Sequence, residues 1–401
     1  MSTRIEPIKS LPPQVAAQVA ERARNLHAWL VGDARFIDDP DLVVEGFVQR
    51  LIDSGLPLDR MSSAIPTLYA VRSGLGRNWN REDGVTTQEF PWDSEEIYQD
   101  SPFYKAHQTR AWVSFRLDEI DDSAFGIVSE LRSAGFTDYI CMPVFFRDGT
   151  EGGLTFATRS PAGFSDADMA LLHAIEDAMA LLLDLNRVWI LLRETLRMYV
   201  GDEPQARILS GQVRRGDVVH IRSAIVFADM RGFTALSGQM SGEDTVALLN
   251  RYFDCVVPPI EETEGDVLKY MGDGVLAIFR AEEDGKSACT KALAAAREIL
   301  ERVEKDRAQA DPSARFDIKI ALHFGAVAYG NIGSGARLDY TVVGGSVNLA
   351  SRLADLAGNL DKHILVSSDF AERLPEQAFK PMGEHSLRGV AEPQKVFAPV
   401  A

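Results

Sequence analysis

The sequence predicts a two-domain α+β protein, and three observations carry that expectation. Its 401 residues exceed what one hydrophobic core usually organises. Helical periodicities and strand–turn–strand patterns recur through both halves. The composition, 46% hydrophobic and 25% charged, is that of a globular chain without an extended disordered tract. A formal net charge of -17 repels a nucleic-acid backbone or an anionic membrane, so neither is expected as a partner. Cys141, Cys255 and Cys289 are spaced like neither a zinc site nor a redox pair. No apolar run approaches the roughly 20 residues needed to cross a bilayer. The N-terminus lacks a signal-peptide core, and a cytoplasmic location is expected.

Taken in order, residues 1–35 contain a helix. Val15, Val19, Ala23, Leu26 and Leu30 recur at three- and four-residue steps, forming one stripe expected to meet a partner chain. Residues 36–185 read as a mixed domain. A second helical pattern runs from Leu42 to Ile52, and Ser63 to Val71 has strand character. Two apolar runs, Tyr139 to Phe146 and Gly153 to Ala157, flank an Arg147-Asp148-Gly149 turn and make a hairpin. Ser165 and Asp168 then form a capping box that opens a long helix.

In this stretch the chain resembles the end of a GAF domain, a small-molecule sensor fold. Trp92, Tyr98, Phe103, Tyr104, Trp112 and Phe115 gather around His107. Core packing is the first reading of this cluster, and a pocket for an unidentified flat or apolar ligand is the alternative. The helix that opens at Ser165 continues through Leu182, Leu185, Val188, Leu191, Leu192 and Leu196 into a signalling helix and linker over residues 186–216. Their spacing approximates a coiled-coil seam for a second copy. A linker containing Pro204 and Gly211 follows.

Residues 217–401 carry the chemistry. Ser223 to Ala228 is a buried strand ending in Asp229, and Met230-Arg231-Gly232-Phe233-Thr234 turns into a helix. An acid there can hold a cation or merely cap the helix. Asp266 to Tyr270, Met271-Gly-Asp-Gly274 and Val275 to Phe279 read as a hairpin displaying Asp273 on its turn. Such an aspartate serves either a metal or the turn. Asp339 to Leu353 then reads as a strand running into a helix. Asn348 and Arg352, four residues apart, share one face of that helix.

The conjunction FADMRGFT, LKYMGDGVLAIF and DYTVVGGSVNLASRL resembles the class III adenylyl and guanylyl cyclases across 217–401. That resemblance implies a ferredoxin-like core and a homodimer with active sites at the subunit interface. It implies two Mg²⁺ (or Mn²⁺) ions per site on Asp229 and Asp273, with the Met230 to Thr234 turn around the terminal phosphates of ATP. Arg352 and Asn348 of the opposite chain would neutralise the α-phosphate and orient the ribose.

Lys269 matches the lysine that accepts adenine. Thr341 stands where many of these enzymes have aspartate, a Lys/Thr pair of a bacterial subgroup in which some members respond to bicarbonate. The implied product is cyclic AMP. Guanylyl or dual specificity and a catalytically inactive nucleotide-binding module are the alternatives. A lysine of the last hairpin has no clean counterpart, leaving Arg388 or Lys395.

Overall fold

The helical stripe between Pro12 and Val31 forms α1 (Pro13–Val31), with a proline in its first turn, where no amide partner is needed. The computed structural model describes residues 8–70, 72–335 and 337–400. The start of the 1–35 segment and Val71, at the end of the strand-like run, lie outside the described residues. The chain divides into two units, Met1–Met198 and Tyr199–Ala401.

In the first unit α1 is followed by α2 (Pro40–Asp53), β1 (Arg60–Pro66), β2 (Gly74–Asn80) and β3 (Gly84–Phe90). Next come α3 (Glu95–Gln99), α4 (Pro102–Thr109), β4 (Val113–Arg116) and α5 (Val128–Ser133). The expected hairpin is β5 (Asp138–Phe145) and β6 (Glu151–Thr158), and α6 (Asp166–Ala174) and α7 (Glu176–Val200) close the unit. The strands make one antiparallel sheet in the order β3-β2-β1-β6-β5-β4.

Alternation along β5 assigns its two faces. Ile140, Met142 and Val144 join a core with α1, α2, α6 and α7, while Tyr139 and Cys141 join a second core with α4 and α5.

Two expectations change here. The α1 stripe is buried in its own unit, with Val19, Ala23, Leu26 and Leu30 in the first core, because that face of the sheet needs a helical cover. The long helix opens with the capping box at Ser165 but breaks at Ile175, which is wholly buried. There Glu176 accepts from Trp112 Nε1 at 2.8 Å, which ties the start of α7 to the domain. The seam on α7 is exposed at Leu185, Val188 and Leu192. His107 is buried and satisfied, its Nε2 2.8 Å from the Gly152 carbonyl and its Nδ1 2.9 Å from the Tyr98 hydroxyl.

The second unit begins with α8 (Asp202–Leu209), where a linker was expected. Pro204 falls in the first turn, where it costs no hydrogen bond, and Glu203 pairs with Arg207 one turn on at 2.8 Å. Then follow β7 (Val218–Met230), α9 (Phe233–Ser237), α10 (Gly242–Glu262), β8 (Asp266–Met271), β9 (Gly274–Arg280), α11 (Lys286–Gln309) and β10 (Ile318–Gly333). The last elements are β11 (Leu338–Val343), α12 (Gly345–Asn359), β12 (Ile364–Ser367), α13 (Ser368–Ala371), β13 (Phe379–His385) and β14 (Gln394–Pro399).

The sheet order β13-β14-β12-β10-β7-β9-β8 contains β10-β7-β9-β8, the ferredoxin-like arrangement of a strand–helix–strand–strand–helix–strand unit. Ala224, Val226 and Ala228 of β7 pack under α10 and α11. Ile225 and the alternate residues Leu276 and Ile278 of β9 face the side that α12 covers. Among the described residues, no helix is long and apolar enough to cross a membrane.

Candidate active site

The two acids converge because β7 pairs antiparallel with β9, setting Ala228 opposite Val275. Asp229 follows Ala228 on one strand, and Asp273 immediately precedes the other on the β8–β9 turn. That turn is tight because Gly272 adopts a φ of 68°, open to glycine at little cost. The Asp273 carboxyl lies within hydrogen-bonding reach of Asp229, and its pKa is pushed up to about 6. Burial is the main cause, followed by the hydrogen bond to Asp229 and the repulsion from it, with Lys319 opposing.

Lys319 sits opposite Asp229 in the β7–β10 ladder, its Nζ 2.9 Å from Asp229 Oδ2. Beneath the pair, the buried Tyr252 hydroxyl has no hydrogen-bond partner, and its pKa is raised well above the ordinary value by burial and then by both acids.

Two half-buried carboxylates this close disfavour joint ionisation unless a cation neutralises them. Among the described residues no group of three or more His, Cys, Asp or Glu side chains could hold a metal ion. The donors are thus two carboxylates, with the remaining positions left to water or phosphate oxygens. This all-oxygen set suits Mg²⁺ or Mn²⁺ rather than a thiolate- or imidazole-seeking metal. The residues fit the expected ions.

The Met230 to Thr234 turn divides by role. Met230 is a core side chain, and Phe233 packs against the same core. Arg231 departs from expectation. Its amide donates to the Asp317 carbonyl at 2.7 Å, and its guanidinium reaches Ile318 O, Asp361 Oδ1 and Lys362 O. Arg231 therefore ties β7 to the segments around β10 and β12, and its amide is not free for phosphate. The pairing of Ile318 with Met230 brings Asp317 into that position. Among the described residues the amides of Gly232, Phe233 and Thr234 have no acceptor, as the first amides of a helix do not.

Asn348 and Arg352 lie on α12 as expected, and Arg352 has only a loose contact to Asp355 Oδ2 at 3.4 Å. They share a cleft of about 640 Å³ with Arg388, His323 and Asp369. Lys395 instead pairs with Glu384 at 3.6 Å across β13–β14. Neither Asp229 nor Asp273 lines this cleft.

His323 is 3% exposed, and its Nδ1 lies 2.8 Å from Ser367 Oγ. Burial lowers its pKa to about 4, with Asp369 opposing. A Cβ on Gly325 would stand 2.3 Å from Ser346 Oγ, so the missing side chain lets the start of α12 approach β10.

Lys269 donates to Asp339 Oδ2 at 2.5 Å. Thr341 is 5% exposed, and its buried hydroxyl has no partner. Lys319, Tyr252, His323 and Asp339 all went unread in the sequence. The first three depend on strand register and helix packing that no local motif announces. Asp339 lay inside a recognised motif without a role.

The family model described as the adenylate and guanylate cyclase catalytic domain matches residues 219–398. An uncharacterized protein of Mycobacterium tuberculosis is 37% identical over 180 residues, covering 44% of this chain and 31% of that protein. One of Mycobacterium bovis is 36% identical over 188 residues, covering 46% and 33%. The chain thus spans about a third of the length of the curated relatives it matches.

Among solved structures, a bacterial light-regulated adenylyl cyclase aligns at 26% identity over 45% of this chain and 91% of that one, with a TM-score of 0.41. The guanylyl cyclase Cya2 aligns at 27% identity over 45% and 92%, with a TM-score of 0.40. The paired acids on a ferredoxin-like sheet and the family match agree on one conclusion: residues 219–398 are a class III adenylyl/guanylyl cyclase catalytic domain.

Proposed function

We propose that the protein is a homodimeric adenylyl cyclase converting ATP to 3′,5′-cyclic AMP and pyrophosphate, adjusted by its GAF-like N-terminal domain. The observation that carries this reading is the convergence of Asp229 and Asp273, a half-buried pair in which burial first, and then the neighbouring Asp229, pushes the Asp273 pKa up to about 6.

In the reaction the ribose 3′-oxygen bonds to the α-phosphorus as the bond to the pyrophosphate oxygen breaks. Two Mg²⁺ or Mn²⁺ ions on Asp229 and Asp273 would supply the acidification of the 3′-hydroxyl and much of the charge neutralisation on the triphosphate. The amides of Gly232, Phe233 and Thr234 offer donors to its terminal phosphates. Arg352 of the partner chain meets charge developing at the α-phosphate, and Asn348 fixes the ribose. Arg388, which shares their cleft, is favoured over Lys395 as the further cation facing the triphosphate.

A dimer is supported by the cleft that holds Asn348 and Arg352 being lined by neither Asp229 nor Asp273, so that completing a site calls for residues beyond that cleft. Lys269 favours ATP, since its ammonium can donate to adenine N1, whereas guanine N1 already carries hydrogen. A guanylyl or dual activity rests on Thr341, which stands where an aspartate would accept from the adenine amino group. Purified protein incubated with ATP or GTP and Mg²⁺ or Mn²⁺ decides between them. More cyclic AMP from ATP than cyclic GMP from GTP is expected, and absence of both products sinks the reading.

A further inference from the structure

We propose that Asp339 supplies the carboxylate of the purine-selecting pair, holding Lys269 and accepting from the 6-amino group of adenine in place of Thr341. The inference rests on the cyclase reading above and deepens it.

Three observations converge. Asp339 and Thr341 are two apart on β11, so their side chains leave the same face of the strand. Thr341 cannot present its hydroxyl to an incoming base as it stands, because that atom is buried without a partner. Asp339 is the carboxylate that Lys269 meets. Its Oδ2 accepts from the ammonium at 2.5 Å while the side chain keeps 58% of its surface exposed, and among the described residues its Oδ1 has no donor.

The pair bridges two hairpins, since β8 pairs with β9 whereas β11 pairs with β10. An exposed ion pair of this kind adds little to folding, so stability does not account for it. Its chemistry does match adenine. An ammonium donor beside a carboxylate acceptor complements the N1 acceptor and the N6 donor of that base, and the carboxylate restrains a flexible lysine in the donating direction.

The test uses the full-length dimer, assayed with ATP and with GTP under Mn²⁺, and nucleotide binding measured separately by calorimetry with non-cyclisable analogues. Asp339→Ala is expected to raise KM for ATP about tenfold or more, as loss of a charge-assisted hydrogen bond does. The kcat should change less, and the ATP-to-GTP ratio of kcat/KM should fall in parallel. Asp339→Asn, which keeps an acceptor, should recover part of the ratio, and Thr341→Val should shift it less than Asp339→Ala. Equal losses for ATP and GTP, or a ratio that collapses in Thr341→Val and survives in Asp339→Ala, would overturn the assignment. If the wild-type protein forms no cyclic nucleotide, the cyclase reading fails. The calorimetric preference for the ATP analogue over the GTP analogue still scores Asp339.

Discussion

The Asp229–Asp273 pair sets the behaviour of the site before any substrate arrives. Asp273 has its pKa raised to about 6 from an ordinary value near 3.8. A raised folded-state value stabilises the protein at low pH, and that contribution is lost as pH rises through about 6. At neutral pH the metal-free protein therefore carries the cost of a buried carboxylate beside a second one, a cost that Mn²⁺ is expected to relieve under the proposed metal assignment. Asp273→Asn is expected to raise the metal-free Tm at pH 7.5, to remove the Tm increase that Mn²⁺ gives the wild type, and to abolish cyclic AMP formation. Differential scanning fluorimetry with and without Mn²⁺ reads the first two effects, and a variant that keeps the Mn²⁺ response contradicts the metal assignment.

Arg352 should behave differently, because its charge matters most in the transition state. Arg352→Ala is expected to lower kcat about a hundredfold or more while KM for ATP moves within about threefold. Steady-state kinetics separates the two parameters, and a loss confined to KM would count against this role.

His323 gives the opposite pH signature. Its pKa is depressed to about 4 by burial, against an unfolded value near 6.5. Stability from the neutral ring is complete above pH 6.5 and is lost as pH falls toward 4, up to about 3 kcal/mol. The groups facing the ring are Ser367 and Asp369, with Ser346 across Gly325. His323→Asn should flatten this acid limb. Urea midpoints of wild type and variant, compared from pH 7 to 4, should converge as the pH drops, and parallel midpoints would refute it.

At the scale of elements, α7 shows what periodicity can and cannot settle. The recurrence of Leu185, Val188 and Leu192 was legible as a seam, and all three are exposed at the surface of the first unit. On the same helix Arg187 is 3% exposed, donating to Asp148 Oδ2 at 2.6 Å and stacking over Phe146. A charged residue in the middle of an apolar seam looks like a solvated position, yet it is the one that fixes the helix to the β5–β6 turn. The seam is expected to hold two chains together. Val188→Glu combined with Leu192→Glu should convert the dimer to monomer in sedimentation equilibrium and lower the rate per chain at micromolar concentration. A charged double variant that remains dimeric would leave the seam without this role.

α1 illustrates the reverse case. Its stripe was equally regular but is occupied within its own unit. A stripe announces that a helix buries one face, and the sheet it finds decides whether the partner is the same chain or another.

Across the whole molecule, each unit buries cores of its own residues, which implies that the cyclase domain can be examined apart from the first unit. Deleting residues 1–190 removes the first unit's core and most of the exposed α7 surface. The truncated protein is expected to dimerise more weakly, so its specific activity should rise with protein concentration while that of the full chain stays nearly constant. Equal dimerisation and equal rates for the two proteins under every condition would remove support for a regulatory N-terminal domain.

What the sequence determined by itself was local: strand–turn–strand patterns, the capping box at Ser165, the glycine turn under Asp273, and the shared helical face of Asn348 and Arg352. Each depends on residues a few positions apart, where backbone sterics and side-chain periodicity leave few outcomes. Only the tertiary structure decided that Arg231 braces β7 instead of meeting phosphate, that Lys319 neutralises Asp229, and that Asp339 meets Lys269 while Thr341 is buried. Those contacts join residues 70 to 130 positions apart. Strand register fixes them, and a one-residue slip would turn every one of these side chains to the other face.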